Sequence, residues 1–427
     1  MKTYLQGPAL LFPAAAVFVA GCAAWVFPGA ATALAGPSLL PLLSLIALVL
    51  AVALAQGPLF RALLLVLAIV LVVSWNRASA TSTSHFAGAA LGCLLMSATG
   101  QWIDTSRRLA LAVTTFLCLG LLMMVVGLVG ASLRPTSLLD PVSPSKAPSI
   151  RLGLAGLGSD GEVNPNALAS AVLLVLPLGV SVLVLRRGLR ESRWKVVPAA
   201  LAVVAVGTVT LVLSRSRTAS LAIWFIAVGL LVAGVRPWFY RVLAGMVVVG
   251  PLLVLTLRLP LLTREGALQD ASNLWVSARG RAQVAAQGVA HFRQHPWLGI
   301  GLNEFRHVYA PRDGDLLLGK GGLAPGQDII AHAHNMVLQT ALDIGLVGSA
   351  AYWGIMVVLW VRASQAARGV SNVARMAAVG SAMSLVAVNL FGLTDAVALG
   401  SKVGTLQWAA GGLILAAWQL RNDTASQ

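Results

Sequence analysis

The chain has 427 residues, of which 58% are hydrophobic and only 10% charged, and its mean hydropathy is +0.84. A soluble globule carries roughly 25% charged residues, so this composition excludes one and points to a polytopic membrane protein. The formal charge of +16, from 30 Lys and Arg against 14 Asp and Glu, is what Lys- and Arg-rich cytoplasmic loops produce, and it calls for no nucleic acid as partner.

Apolar runs occur at residues 8–27, 39–55, 59–75, 85–98, 109–129, 167–185, 196–213, 219–233, 242–257, 336–360, 377–393 and 405–420. They predict an all-α bundle of about twelve transmembrane helices, the fourth and eighth runs falling short of the roughly twenty residues that a span needs. Val19-Ala20-Gly21-Cys22 has the form of a lipoprotein cleavage box, but only Lys2 precedes it, and the first run reads as an uncleaved span. Trp25, Trp75, Trp102, Trp194 and Trp238 lie near span ends, as an interfacial belt requires. Cys22, Cys93 and Cys118 all fall in apolar runs and make neither a disulfide framework nor a thiolate metal site.

If the spans alternate, Lys2, Arg61, Arg107, Arg108, Arg186, Arg187, Arg190, Arg193, Lys195, Arg236, Arg241, Arg362, Arg368, Arg375 and Arg421 all fall on one side. The bias of Lys and Arg predicts that this side is the cytoplasm and that both termini lie there. Two insertions fall on the opposite side, at 131–166 and 258–333. The chain thus divides into helices 1–9 (1–257), a large loop (258–333) and helices 10–12 with a short tail (334–427). A connection as long as the second is usually functional, and it carries His291, His295, His307 and His332 before leading into His334. Within it, residues 283–294 have helical spacing, and His295-Pro296 followed by Gly299 and Gly301 reads as a helix stop and a tight turn.

Ser214-Arg215-Ser216-Arg217 is out of place by this topology, because it occupies a short turn on the side where Arg should be scarce. Arg215 and Arg217 present planar, permanent donors suited to phosphate, and the helix beginning at Thr218 adds amide donors and a positive dipole end. Snorkelling to lipid headgroups is the structural alternative. Arg279 and Arg281 offer further cations on the same side, although each taken singly fits a solvated loop residue.

His334 opens the 336–360 run. That stretch is longer than the hydrocarbon core is thick, so its first turns should project past the lipid and set His334 at the mouth of the bundle. Histidine exchanges a proton near neutral pH, and Asn335 stands beside it. His332, two residues away, would not share a helix face with His334. Metal binding is poorly supported. His332 and His334 make a possible pair, but Asp313-Gly314-Asp315 has Arg312 beside it, and the first loop on that side, residues 29–38, has no carboxylate. No phosphate-binding Gly-Lys-Ser loop and no Gly-x-Ser-x-Gly elbow occurs.

His334-Asn335 with Leu338, Gly345 and Gly348 resembles the signature of the O-antigen ligase family. Asn164-Pro165-Asn166-Ala167-Leu168-Ala169, the Ser-Arg-Ser-Arg turn, Arg281 and His295-Pro296 with Gly299 and Gly301 follow the family in order. The resemblance covers roughly residues 152–348. It departs at Ala285, where such proteins often have Trp, and at Asp343, where Glu is common.

The resemblance implies a class C glycosyltransferase fold in the bacterial inner membrane, with a large periplasmic loop between helices 9 and 10 and an active site on the periplasmic face. It implies transfer of O-antigen polysaccharide from undecaprenyl pyrophosphate to a sugar hydroxyl of lipid A–core, with membrane lipids around the bundle and no cofactor or metal. His334 is then the expected general base, with inversion at the anomeric carbon. Arg215, Arg281 and Arg217 hold the pyrophosphate, and Asn335, His295 and His332 support the site. Two related enzymes remain open, an O-antigen polymerase and a protein O-oligosaccharyltransferase. A lipid or glycan transporter also remains open; it would place ionisable groups inside the bundle, where Asp395 is the one late-helix candidate.

Overall fold

The computed structural model of the chain describes residues 8–26, 36–129, 150–151, 162–163, 165–185, 193–214, 216, 218–224, 264–309 and 332–422. Among the described residues, apart from one antiparallel pair of two-residue strands, β1 (Ile150–Arg151) and β2 (Glu162–Val163), the regular structure is helical. In chain order the helices are α1 (Pro8–Val26), α2 (Leu39–Ala53), α3 (Pro58–Val73), α4 (Ala80–Trp102), α5 (Ser106–Val129), α6 (Pro165–Leu185) and α7 (Arg193–Ser214). They continue with α8 (Arg264–Gln294), α9 (Phe305–Val308), α10 (Met336–Ala367), α11 (Asn372–Phe391) and α12 (Lys402–Gln419). Residues 218–224 are also helical.

Among the described residues four helices are long and apolar enough to cross a membrane: Ser106–Leu128, Leu168–Leu185, Met336–Ala367 and Asn372–Phe391. The chain is a multi-spanning membrane protein. Its centre is α4, rich in Ala, Gly and Ser, which packs on α1, α2 and α12. Small residues let backbones approach there: a side chain at Gly92 would strike Trp408, and one at Gly100 would meet Leu415. α11 packs against α6, α10 and α12. Leu42, Val49, Ile69, Leu111, Leu122, Leu201 and Val357 remain exposed on the outside, as lipid-facing positions should.

The two ends of the bundle differ in chemistry. At one end the Arg362 guanidinium donates to the Gln56 carbonyl at 2.6 Å and lies over the rings of Phe60 and Trp418. Close by, Arg375 donates to the Gly369 carbonyl and the Val370 amide to the Arg421 carbonyl. Several of the arginines expected on one side therefore do gather at one end. α3 runs away from that end and α10 runs toward it. The start of α10 and the end of α3 accordingly meet at the opposite end, where the Leu302 amide donates to the Ser74 carbonyl and the Ser74 hydroxyl to the Leu298 carbonyl.

The fourth apolar run is a full 23-residue helix, because its outer turns are built from Ser, Thr and His rather than aliphatic residues. Most of the eighth run and all of the ninth lie outside the described residues. In the large loop, the helix expected at 283–294 begins much earlier, at Arg264.

Candidate active site

Asn335 starts α10. Its backbone is extended (φ −150°, ψ 121°), its side-chain oxygen accepts the Leu338 amide at 2.9 Å, and its Nδ2 donates to the Leu393 carbonyl at 3.1 Å. The first caps the helix and the second ties that cap to the end of α11. The Met336 amide donates to the Gly392 carbonyl at 2.6 Å, which makes the tie double. His334, just before the cap, is held in the left-handed region at φ +51°, a conformation His tolerates better than most residues. Both ends of this junction are fixed by hydrogen bonds, and they deliver His334 and Asp395 to the same spot.

His334 Nδ1 lies 3.2 Å from Asp395 Oδ1, and His332 Nε2 lies 3.5 Å from the same oxygen. The two imidazoles meet edge to face with centroids 4.6 Å apart. Although they could not share a helix face, they precede the helix, where the extended turn brings the rings together. Burial alone would raise the Asp395 carboxyl. The hydrogen bond from His334 and the two adjacent imidazoles outweigh it and hold the group below the usual carboxylate range. Burial pushes His332 down to about 4, and the Asp395 charge opposes this only in part. At neutral pH Asp395 is therefore an anion and His332 a neutral ring. An ionised carboxylate only accepts, so the His334 nitrogen facing it is the donor, and the tautomer this selects for a neutral ring has its lone pair on Nε2.

Beneath this trio lies a buried polar chain. The Ala333 amide donates to Gln339 Oε1 at 2.8 Å, Gln339 Nε2 donates to Asp343 Oδ1 at 2.8 Å, and the same oxygen accepts the Asn303 amide at 2.9 Å. Asn303 belongs to the loop after α8, so the backbone on which His334 sits is braced against that loop. One turn on, Gly345 breaks α10 at φ +64°, ψ −171°. In an unbroken helix the Leu346 amide would donate to the Leu342 carbonyl. Here Leu346 donates to the Pro296 carbonyl at 2.8 Å, and the Leu342 carbonyl accepts the Ile300 amide at 2.7 Å. A side chain on Gly345 would run into the Trp297 carbonyl, and one on Gly299, also at positive φ, into the Leu342 carbonyl. The two glycines mark a backbone-on-backbone crossing.

The other sequence-derived residues are distributed around this centre. Arg281 is half-buried on α8. Two turns later on the same face, Gly288 packs on Leu338 and Leu342, and Pro296 meets Leu346. The two segments thus run in the same direction, which sets Arg281 toward the His334 end of α10. Val284 shares a small apolar cluster with Ala333, in keeping with that register. His295 closes α8 with an exposed side chain beside the Gly345 break, at the far end of the first turns of α10 from His334. Arg215 and Arg217 lie outside the described residues. Their neighbour Thr218 is within them, and its hydroxyl accepts from the Thr394 hydroxyl at 2.8 Å, one residue before Asp395. Ser216 caps the 218–224 helix through the Ala219 amide.

Residues 202–353 match the family model described as O-antigen ligase. About a third of the chain is thus similar to the O-antigen ligase family. No curated protein matches the chain. The O-antigen ligase match runs from within α7 to within α10 and takes in the Ser-Arg-Ser-Arg turn, Arg281, His295, His332, His334 and Asn335. Asp395 lies 42 residues beyond its end (395 − 353). In the sequence Asp395 reads only as a carboxylate near a span end. Its signal was there in Gly392-Leu393-Thr394-Asp395, an acid placed where α11 stops, but only folding shows that it closes on His334.

Proposed function

We propose that the protein is an O-antigen ligase of the bacterial inner membrane, moving O-antigen polysaccharide from undecaprenyl pyrophosphate to a sugar hydroxyl of lipid A–core. The observation that carries this is the His334–Asp395 pair at the bundle end opposite the arginine-rich one, with His334 lying inside a family match that also includes the Ser-Arg-Ser-Arg turn.

In this reading the arginine-rich end faces the cytoplasm, both termini lie there, and the site opens to the periplasm. The fold is a class C glycosyltransferase bundle of about twelve spans. Asp395 holds the Nδ1 proton of His334. Nε2 takes the proton of the acceptor hydroxyl as its oxygen attacks the anomeric carbon, and the carbon–oxygen bond to the pyrophosphate breaks with inversion. The donor is already activated, so no nucleotide is consumed. Arg215, Arg281 and Arg217 receive the charge that develops on the leaving pyrophosphate. Asn335 caps the helix that follows His334, and His332 stands beside Asp395 in support of the site.

Purified protein mixed with an undecaprenyl-pyrophosphate-linked glycan and lipid A–core should yield glycan-extended lipid A–core. Lengthening of glycan on the lipid carrier would instead identify a polymerase, and glycan on Ser or Thr of a protein a protein O-oligosaccharyltransferase. The transporter reading rested on Asp395, and the pairing of that residue with His334 favours an acid–base role for it instead.

A further inference from the structure

We propose that His332, His334 and Asp395 form a binding site for a divalent d-block ion of the zinc class, and that the bound ion silences the site. The inference rests on the general-base role given to His334 above.

Each of the three residues offers one ligand atom, and these atoms all lie within 4.8 Å of one another. Two imidazole nitrogens and a carboxylate oxygen are a donor set that suits zinc. Ligands about 2.0–2.1 Å from a tetrahedral ion stand about 3.3 Å apart, and the two His-to-Asp395 separations, 3.2 and 3.5 Å, bracket that value. An ion entering between them replaces these contacts, with the two ring nitrogens, which lie within 4.8 Å of each other, closing on it. The carboxylate side chain is 5% exposed and supplies a negative charge in a partly dry setting. The imidazoles are 20% and 22% exposed, which leaves a way in for the ion. The Nδ1 of His332 is buried with no hydrogen-bond partner, so this ring is not committed elsewhere through that atom.

The consequence follows from the tautomer. Without an ion, Asp395 holds the proton on the Nδ1 of His334 and leaves the lone pair on Nε2. An ion on Nδ1 takes that lone pair position, so the ring's single proton moves to Nε2. The nitrogen that should accept the hydroxyl proton then becomes a donor, and Asp395, bound to the ion, no longer orients the ring. The ion is an inhibitor rather than a Lewis acid for transfer.

The test uses the full-length protein in detergent, freed of metal. Zinc is titrated by calorimetry, with Co²⁺ absorption as an independent readout of a nitrogen and oxygen ligand field. One ion per chain should bind, and transfer should fall in step with occupancy and return on adding EDTA. In His332→Gln the zinc concentration that halves whatever transfer remains should rise about tenfold or more, and in Asp395→Asn binding should weaken likewise. Absence of saturable binding, or binding unchanged in both variants, overturns the site. Binding accompanied by transfer that requires zinc overturns the inhibitory role. Because binding is read without substrate, failure of transfer in the metal-free protein counts against the proposed function and leaves the site to the titration.

Discussion

His334 and Asp395, 61 residues apart in the chain, face each other across 3.2 Å because the amide of Met336 and the side chain of Asn335 are both bonded to the carbonyls that end α11. The start of one membrane helix is thereby locked to the end of the next, and the catalytic proposal depends on that lock.

Replacing Asp395 with Asn keeps the shape and loses the anion. The Asn side chain can donate to Nδ1 and so favour the tautomer with the proton on Nε2, which is the wrong one for a base. Transfer in a single turnover should drop at least about 100-fold while the protein still purifies as folded. A drop of less than threefold would show that Asp395 does not control the His334 ring.

The acid limb of stability should trace to two groups. The Asp395 carboxyl sits below its ordinary range when folded, so its contribution is present above the unfolded carboxylate pKa and is lost as pH falls through the depressed value. His332 titrates near 4 when folded but near 6.5 when unfolded, so between those pH values the unfolded chain binds the extra proton. Stability should therefore fall as pH is lowered from about 6.5 toward 4. In His332→Gln, thermal unfolding in detergent should lose much of that slope, and an unchanged slope would show that His332 is not held neutral by the fold.

Gly345→Ala places a Cβ at φ +64° and against the Trp297 carbonyl. The cost should exceed the roughly 1 kcal/mol of an ordinary Gly-to-Ala mismatch, because backbone rather than a flexible side chain stands in the way. A lowered unfolding temperature with easier proteolysis at residues 295–309 is expected. Parent-like behaviour on both counts would mean that the crossing is not needed.

Gln339→Leu removes the buried bridge between Ala333 and Asp343. It strands the Ala333 amide and takes one donor from the carboxylate, a loss of about 1–3 kcal/mol. Because Ala333 carries His334, transfer should fall beyond what the lost stability explains, with the effect on kcat rather than on KM for the donor. An effect confined to stability would make the chain of hydrogen bonds purely structural.

How far the sequence disclosed all this depends on what kind of signal each part carries. Hydropathy locates α2, α3, α5, α6, α7, α10 and α11 closely, since lipid demands long apolar runs. It undersells α4, whose 23 residues are packed by Gly, Ala and Ser against other helices rather than against lipid. His334, Asn335 and the glycines at 299 and 345 were legible as a motif, and the geometry supplies their physical reasons: a cap, a left-handed turn and a backbone crossing. Asp395 and the Gln339–Asp343 chain were not legible as parts of a site. Each is a single polar residue at or inside an apolar run, and its partner is set by tertiary packing alone.

The central claim is that His334 moves the acceptor proton without help from metal or nucleotide. The measurement that tests it most directly is single-turnover transfer from an undecaprenyl-pyrophosphate-linked glycan to lipid A–core, with EDTA present, for the parent and for a folded His334→Ala protein. The account predicts transfer by the parent and a loss of at least about 100-fold in the variant. Transfer by His334→Ala at close to the parent rate, or a parent that is inactive until metal is restored, would contradict it.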